Sequence, residues 1–275
     1  MTDGLGGKRI ALLESRLADA LAALVRKNGG EPVCVPSVRE LRRDARPELA
    51  RVLDSLAAEA APVFVFSTGV GVAALFEDAR ASGRENELRE AIRRGISVCR
   101  GPKPVAALAR ESLTASVLAQ SPYTTAELTA ALDGLDLKAR MVVLLHYGER
   151  NEPLVETLRR RGARLAELLL YEWALPEDVG PLSRLVDELV AGRFAAAAFT
   201  SQIQARHLMQ VAERAGKGEA LRAALGSLVV AAVGPTCAHA LEELGVKPQV
   251  VPQNPKMGAM LAALVDRLAS APGAP

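Results

Sequence analysis

The chain has 275 residues, of which 49% are hydrophobic and 24% charged, with a formal net charge of +2. This composition is that of an ordinary folded globular protein and argues against extensive disorder. The small net charge and the 3% of aromatic residues argue against a broad basic surface or a base-stacking platform, so no nucleic-acid partner is expected.

Cys34, Cys99 and Cys237 are odd in number and widely spaced, which is not a disulfide framework. Each lies in or beside an apolar run and is expected as a small core residue. There is no CxxC pair, and His146, His207 and His239 form no ligand spacing with the cysteines, so no structural metal is expected. Met1–Gly7 lacks the apolar core of a secretion signal. Ala195–Phe199 and Leu228–Val233 are among the longest apolar runs and are too short to span a bilayer. The chain reads as cytoplasmic, with no membrane partner, and its tail Ser270–Pro275 as frayed.

In chain order, Arg9–Leu13 is a strand candidate, and Leu17–Asn28 carries a helical stripe at Leu17, Leu21, Leu24 and Val25. Gly29-Gly30 stops that helix, and Pro32–Val35 reads as a second strand. Strands follow at Val63–Phe66, Ile96–Cys99, Val117–Leu118, Met141–Leu145, Leu165–Tyr171, Ala195–Phe199, Val229–Val233 and Gln249–Val251. Helices between them are predicted at about 72–80, 104–112, 125–132, 152–161, 181–191, 202–214, 236–244 and 257–268. This alternation predicts an α/β fold with parallel sheets and right-handed crossovers. The strands are near-continuous apolar runs, as sheets covered on both faces require. About ten strands divide more naturally into two sheets of about five than into one.

The chain also repeats itself. Phe66-Ser67-Thr68 recurs as Phe199-Thr200-Ser201, Gly101-Pro102 as Gly234-Pro235, and the helix-ending Gly29 as Gly162, each 133 residues later. Two similar lobes follow, and the expected place for a ligand is at the C-terminal ends of their parallel strands, in the cleft between them.

Those ends carry Ser67-Thr68-Gly69, Gly101-Pro102-Lys103, Thr200-Ser201-Gln202 and Gly234-Pro235-Thr236, each opening a helix. A helix start offers unpaired N–H groups and partial positive charge, so four of them suit a ligand with many carboxylates or phosphates. Singly, each hydroxyl could equally be a helix cap. There is no GxxxxGK(S/T), and Gly69-Val70-Gly71 lacks the third glycine of a dinucleotide fingerprint. Arg16, Arg100, Lys103, Arg150 and Arg206 supply cations near strand ends, whereas no Cys–His or Ser–His–Asp arrangement is visible. Of three tyrosines, Tyr171 stands at a strand end before Glu172-Trp173. Its phenol could donate a proton to a ligand or simply pack at a domain junction, and the pattern does not choose.

Several segments, in order, resemble the uroporphyrinogen-III synthases. They are Glu14-Ser15-Arg16 with Gly30 and Pro36, Phe66-Ser67-Thr68-Gly69-Val70, Gly101-Pro102-Lys103, Tyr147-Gly148-Glu149, and Leu158 and Gly162 with the Tyr171…Pro176 segment. Phe199-Thr200-Ser201 and Val233-Gly234-Pro235-Thr236 with Ala240-Leu241 and Gly245 complete the set. The resemblance runs from about Lys8 to Leu268. It implies two α/β lobes joined by a two-stranded linker, with 1–36 and 177–275 in a discontinuous first lobe, 41–170 in an inserted second lobe, and 37–40 and 171–176 as connecting strands.

The resemblance also implies a cofactor-free monomer that cyclises hydroxymethylbilane to uroporphyrinogen III with inversion of the last ring through a spiro intermediate. Tyr171 matches the tyrosine that assists loss of the substrate hydroxyl. Arg16, Ser67, Thr68, Gly69, Gly101, Lys103, Gly148, Thr200, Ser201, Gln202, Gly234, Pro235 and Thr236 are the expected substrate-binding residues. Lys103 stands where many relatives have a small hydroxyl residue, and Cys237 where a second hydroxyl is common. Gln202-Ile203 replaces a proline-containing step. A two-lobed, non-enzymatic sensor of an anionic small molecule would share this architecture. A nucleotide- or sugar-phosphate-using enzyme would too, but lacks its fingerprints here.

Overall fold

The structure, a computed structural model, describes residues 4–270. Most of the expected tail, from residue 271 onward, lies outside the described residues. The first elements are β1 (Arg9–Leu12), α1 (Ala18–Lys27), β2 (Glu31–Cys34), β3 (Arg39–Arg42) and α2 (Arg46–Leu56). Next come β4 (Val63–Phe66), α3 (Gly69–Ala81), α4 (Glu85–Arg94), β5 (Ile96–Cys99), α5 (Pro102–Arg110), β6 (Val117–Leu118) and α6 (Thr125–Ala131). They are followed by β7 (Met141–Leu145), α7 (Glu152–Arg160), β8 (Arg164–Leu168), β9 (Tyr171–Ala174) and α8 (Gly180–Val190). The series ends with β10 (Ala196–Phe199), α9 (Gln202–Arg214), α10 (Gly218–Ser227), β11 (Val229–Ala232), α11 (Pro235–Glu243) and α12 (Met257–Ala269).

The chain divides into two compact units: one from residues up to Arg39 together with those from Ala174 on, the other from Glu40 to Trp173. The first holds the parallel sheet β11-β10-β1-β2, the second the parallel sheet β6-β5-β4-β7-β8. Strands β3 and β9 pair as a separate two-stranded sheet, where the chain passes from one unit into the other.

Each sheet is covered on both faces, which is why its strands read as unbroken apolar runs. In β4, Phe64 and Phe66 stack at 5.9 Å on one face within one cluster with Leu75, Phe76 and Leu108. Val63 and Val65 point to the other, against Leu128, Leu154 and Leu158. In β1, Ala11 and Leu13 belong to one cluster, and Ile10 and Leu12 to the opposite one. Pro32 is tolerated in β2 because that strand is at a sheet edge. Helix starts follow the local chemistry. Thr124 and Glu127 form a capping box for α6, Asn151 caps α7, and Pro102 and Pro235 stand in the first turns of α5 and α11.

The 133-residue repeat extends well beyond its three sequence landmarks. Helices α3, α4 and α5 recur at that offset as α9, α10 and α11, and β4 and β5 as β10 and β11, with matching bounds. Gly29 and Gly162 both adopt left-handed φ, at 76° and 75°.

Several expectations change. Helices α2, α4 and α10 fall where no helix is predicted, although α2 buries Leu49, Val52, Leu53 and Leu56 at helical spacing. The predicted strand 165–171 divides in two: β8 ends at Leu168, and Tyr171 begins the linking strand β9. The expected strand 249–251 is reduced to an isolated bridge between Val250 and Ala231. Cys34 is exposed on its edge strand instead of buried, unlike Cys99 and Cys237.

Candidate functional site

In the unit from Glu40 to Trp173, Ser67, Thr68 and Gly69 follow β4. Ser67 is buried, and Thr68 caps α3 in extended conformation, its Oγ1 accepting the Gly71 N–H at 3.0 Å. The same Oγ1 lies 3.0 Å from the hydroxyl of Tyr171. The Tyr171 side chain is 0% exposed. Its ring meets Trp173 edge to face at 5.1 Å, and Trp173 meets Tyr147 in the same way at 5.6 Å. Because Thr68 has two lone pairs and one is taken by Gly71, a hydrogen bond accepted from Tyr171 fills the other. The Thr68 proton is then left to point away from both.

Gly148 explains how Trp173 fits. At φ 64°, Gly148 adopts a left-handed conformation, and a Cβ there would stand 2.3 Å from Trp173 Nε1. Gly69 permits another close approach, since a Cβ there would lie 2.8 Å from the Lys103 carbonyl oxygen. Gly101, in extended conformation, opens α5 against the Tyr123 ring, and the Lys103 side chain is exposed. Arg100, just before it, places its guanidinium 4.8 Å from the centre of the Tyr147 ring. Burial pulls that guanidinium below its ordinary pKa, with Tyr147 and Tyr171 acting in the opposite sense.

In the other unit, Thr200 is not an open donor. Its hydroxyl donates to Glu14 Oε2 and accepts from Gln204 Nε2 at 2.8 Å, and its N–H donates to Gln204 Oε1 at 2.8 Å. Gln204 Nε2 also donates to Glu14 Oε2 at 3.1 Å, while the Arg16 and Leu17 N–H groups hold Glu14 Oε1 at 3.0 and 3.2 Å. Burial pushes the Glu14 carboxyl up, but the hydrogen bonds from Thr200, Leu17, Gln204 and Arg16 outweigh it and hold the group below its usual range. Glu14 is therefore a carboxylate at neutral pH. Ser201 opens α9 without a side-chain capping bond. Gly234 opens α11 where a Cβ would meet Pro255 at 2.8 Å, and Pro235 and Thr236 behind it are exposed.

The remaining candidates are otherwise engaged. Arg150 is held by Glu167 and Glu152, and Arg206 lies 3.8 Å from Glu243. His146 is buried, accepting the Asn151 N–H at Nδ1 and facing Glu167 at 3.0 Å from Nε2. Burial lowers its pKa more than Glu167 raises it, so it ties β7 to its neighbours as a neutral ring. Gln204 and Trp173 are the residues that sequence reasoning passed over. The available signals were a polar residue four positions after Thr200, one helical turn on, and the single tryptophan of the chain. Among the described residues, no three His, Cys, Asp or Glu side chains gather as a metal site, and no helix is long and apolar enough to cross a membrane.

Residues 19–262 match the family model described as uroporphyrinogen-III synthase HemD. The uncharacterized protein YjjA of Bacillus subtilis (strain 168) is 31% identical over 96% of this chain and 97% of its own. The crystal structure of a mutant uroporphyrinogen III synthase from the extremely thermophilic bacterium Thermus thermophilus is similar with a TM-score of 0.76 and 28% identity, over 95% of this chain and 98% of that one. A second structure of the Thermus thermophilus enzyme gives 0.58 and 26%, over 95% and 99%.

Proposed function

The chain belongs to the uroporphyrinogen-III synthase family, and from that premise we propose that it cyclises hydroxymethylbilane to uroporphyrinogen III. In the proposed course the terminal C–O bond breaks as the hydroxyl takes a proton and leaves as water, giving an azafulvenium cation. The substituted carbon of the last pyrrole attacks that cation to form a spiro intermediate. The intermediate fragments at the neighbouring bond, recloses with the ring inverted and releases a proton. The linear substrate closes unaided to the uninverted isomer, so the protein's contribution is chiefly to hold one folded conformation.

The observation that supports this reading best is the hydrogen bond between Thr68 and Tyr171 at the C-terminal end of β4. Tyr171 is buried and Thr68 is only partly so. The proposed proton route therefore runs through Thr68. The Thr68 hydroxyl protonates the departing oxygen and is resupplied by the phenol, a general-acid relay of two hydroxyls. The substrate carboxylates are taken up at strand ends. The Glu40–Trp173 unit offers the starts of α3 and α5, with Gly101 and Lys103, and the other unit offers Ser201 and the start of α11 at Gly234. Thr200 serves by fixing its turn through Glu14 and Gln204.

The test is incubation with freshly prepared hydroxymethylbilane, oxidation of the products and separation of the type III from the type I porphyrin. Type III above the spontaneous type I background supports the proposal. Type I alone from folded protein would sink it.

A further inference from the structure

Arg100 differs from the other arginines at the strand ends of its unit. Arg42 is paired with Asp78, and Arg150 with Glu167 and Glu152. For Arg100, no carboxylate among the described residues stands within ion-pair distance, and the groups whose charge it feels are the phenols of Tyr147 and Tyr171. It follows directly on β5, its N–H donating to the Phe66 carbonyl at 3.0 Å, and the residue after it is the buried Gly101 that opens α5. The Tyr147 ring holds the guanidinium at 4.8 Å. A cation withdrawn from water beside aromatic rings, with no anion of the protein's own, is left electrostatically incomplete. A planar guanidinium in that position is suited to receive a carboxylate through two parallel hydrogen bonds, reinforced by the first N–H groups of α5.

We infer that Arg100 binds a carboxylate of the ligand at the end of β5, beside Gly101, the ligand class being pyrroles that carry carboxylate side chains. The anion site follows from Arg100 and its surroundings alone, and the choice of pyrrole acids rests on the function proposed above.

The chain contains its own reporter. Its single tryptophan, Trp173, packs against Tyr147, the ring that holds Arg100. The experiment is a titration of the full chain with a monopyrrole bearing one acetate and one propionate, followed by tryptophan fluorescence, for wild type, R100K and R100Q. We expect saturable binding by wild type and an affinity about ten- to a hundred-fold weaker in R100Q, the range for losing hydrogen bonds to a charged group. R100K, which keeps the charge but loses the fork, falls between the two.

A second measurement needs no variant. Phenylglyoxal labelling of Arg100 in wild type, read by peptide mass spectrometry, is slowed by the pyrrole diacid. Equal affinity of R100Q and wild type, no saturable binding by wild type, or labelling that the diacid does not slow would each overturn the inference. Type III formation is measured on the same preparations. A diacid site that needs Arg100 in a chain making no type III upholds Arg100 and sinks the synthase reading. Type III formation with an unchanged KM in R100Q does the reverse.

Discussion

Replacing Tyr171 by phenylalanine removes one oxygen and nothing else. The ring stays in place, because its contacts are the edge-to-face packing with Trp173 at 5.1 Å and the apolar cluster around Phe64, Phe66 and Leu145. What is lost is one neutral hydrogen bond to Thr68 at 3.0 Å, with a net contribution of about 1 kcal/mol. Thr68 is not orphaned, since it still accepts the Gly71 N–H. The stability cost is therefore small, and the melting temperature should fall by roughly 2–4 °C. The rate should change far more. Without the phenol, a proton given up by Thr68 is not replaced from within the protein, and general-acid assistance of about 10²–10⁴-fold is forfeited. The assay is single-turnover formation of type III product from hydroxymethylbilane, with unfolding followed in parallel. The relay also requires Thr68→Val to cost about as much as Tyr171→Phe, and the double variant to cost little more than either, since both interrupt one path. A Tyr171→Phe enzyme with the wild-type rate would refute the relay, as would fully multiplicative losses in the double variant.

Other outcomes can be checked separately. Gly148→Ala forces a left-handed φ on an alanine and drives its Cβ into Trp173, so the Glu40–Trp173 unit should lose about 2–4 kcal/mol by urea denaturation, with a change in tryptophan emission. The Glu14 carboxyl has a lower pKa when folded than its ordinary 4.5, so it contributes stability above that pH and loses it as pH falls through the folded value. Glu14→Gln should therefore be less stable than wild type at neutral pH, and its stability should fall less steeply below about pH 4.5. Burial pushes the Cys99 and Cys237 thiols up to about 12, whereas Cys34 is exposed. An aromatic disulfide reagent should release one equivalent from native protein at mildly alkaline pH and the other two only on unfolding; early reaction of Cys99 would contradict its burial.

Part of the site was legible from residue types. Small polar residues after apolar runs marked the strand ends at Ser67, Gly101, Thr200 and Gly234, because a strand-to-helix turn needs hydroxyls, glycine and proline whether or not a ligand binds there. The partners of those residues were not legible. Thr68 and Tyr171 are separated by 103 residues, and Thr200 and Glu14 by 186. No local rule links such positions. Local pattern shows that a threonine can cap a helix, but not that a glutamate from another strand end already holds its proton.

The same division holds for the fold. Hydrophobic periodicity, turn residues and the 133-residue repeat were enough to specify alternating strands and helices, parallel sheets and two similar halves, because each follows from short-range backbone chemistry. Strand pairing is long-range, and the chain's periodicity carries no record of it. The sequence repeats β1, β2, β4 and β5 as β7, β8, β10 and β11. The obvious folding would close each repeat on itself. Instead β4 and β5 join β7 and β8 in one sheet, and β10 and β11 join β1 and β2 in the other, so that each unit draws on both repeats. Either arrangement buries the same apolar strand faces. The choice lies with the chain's passage along β3 and β9, whose pairing with each other carries it out of one unit and back again.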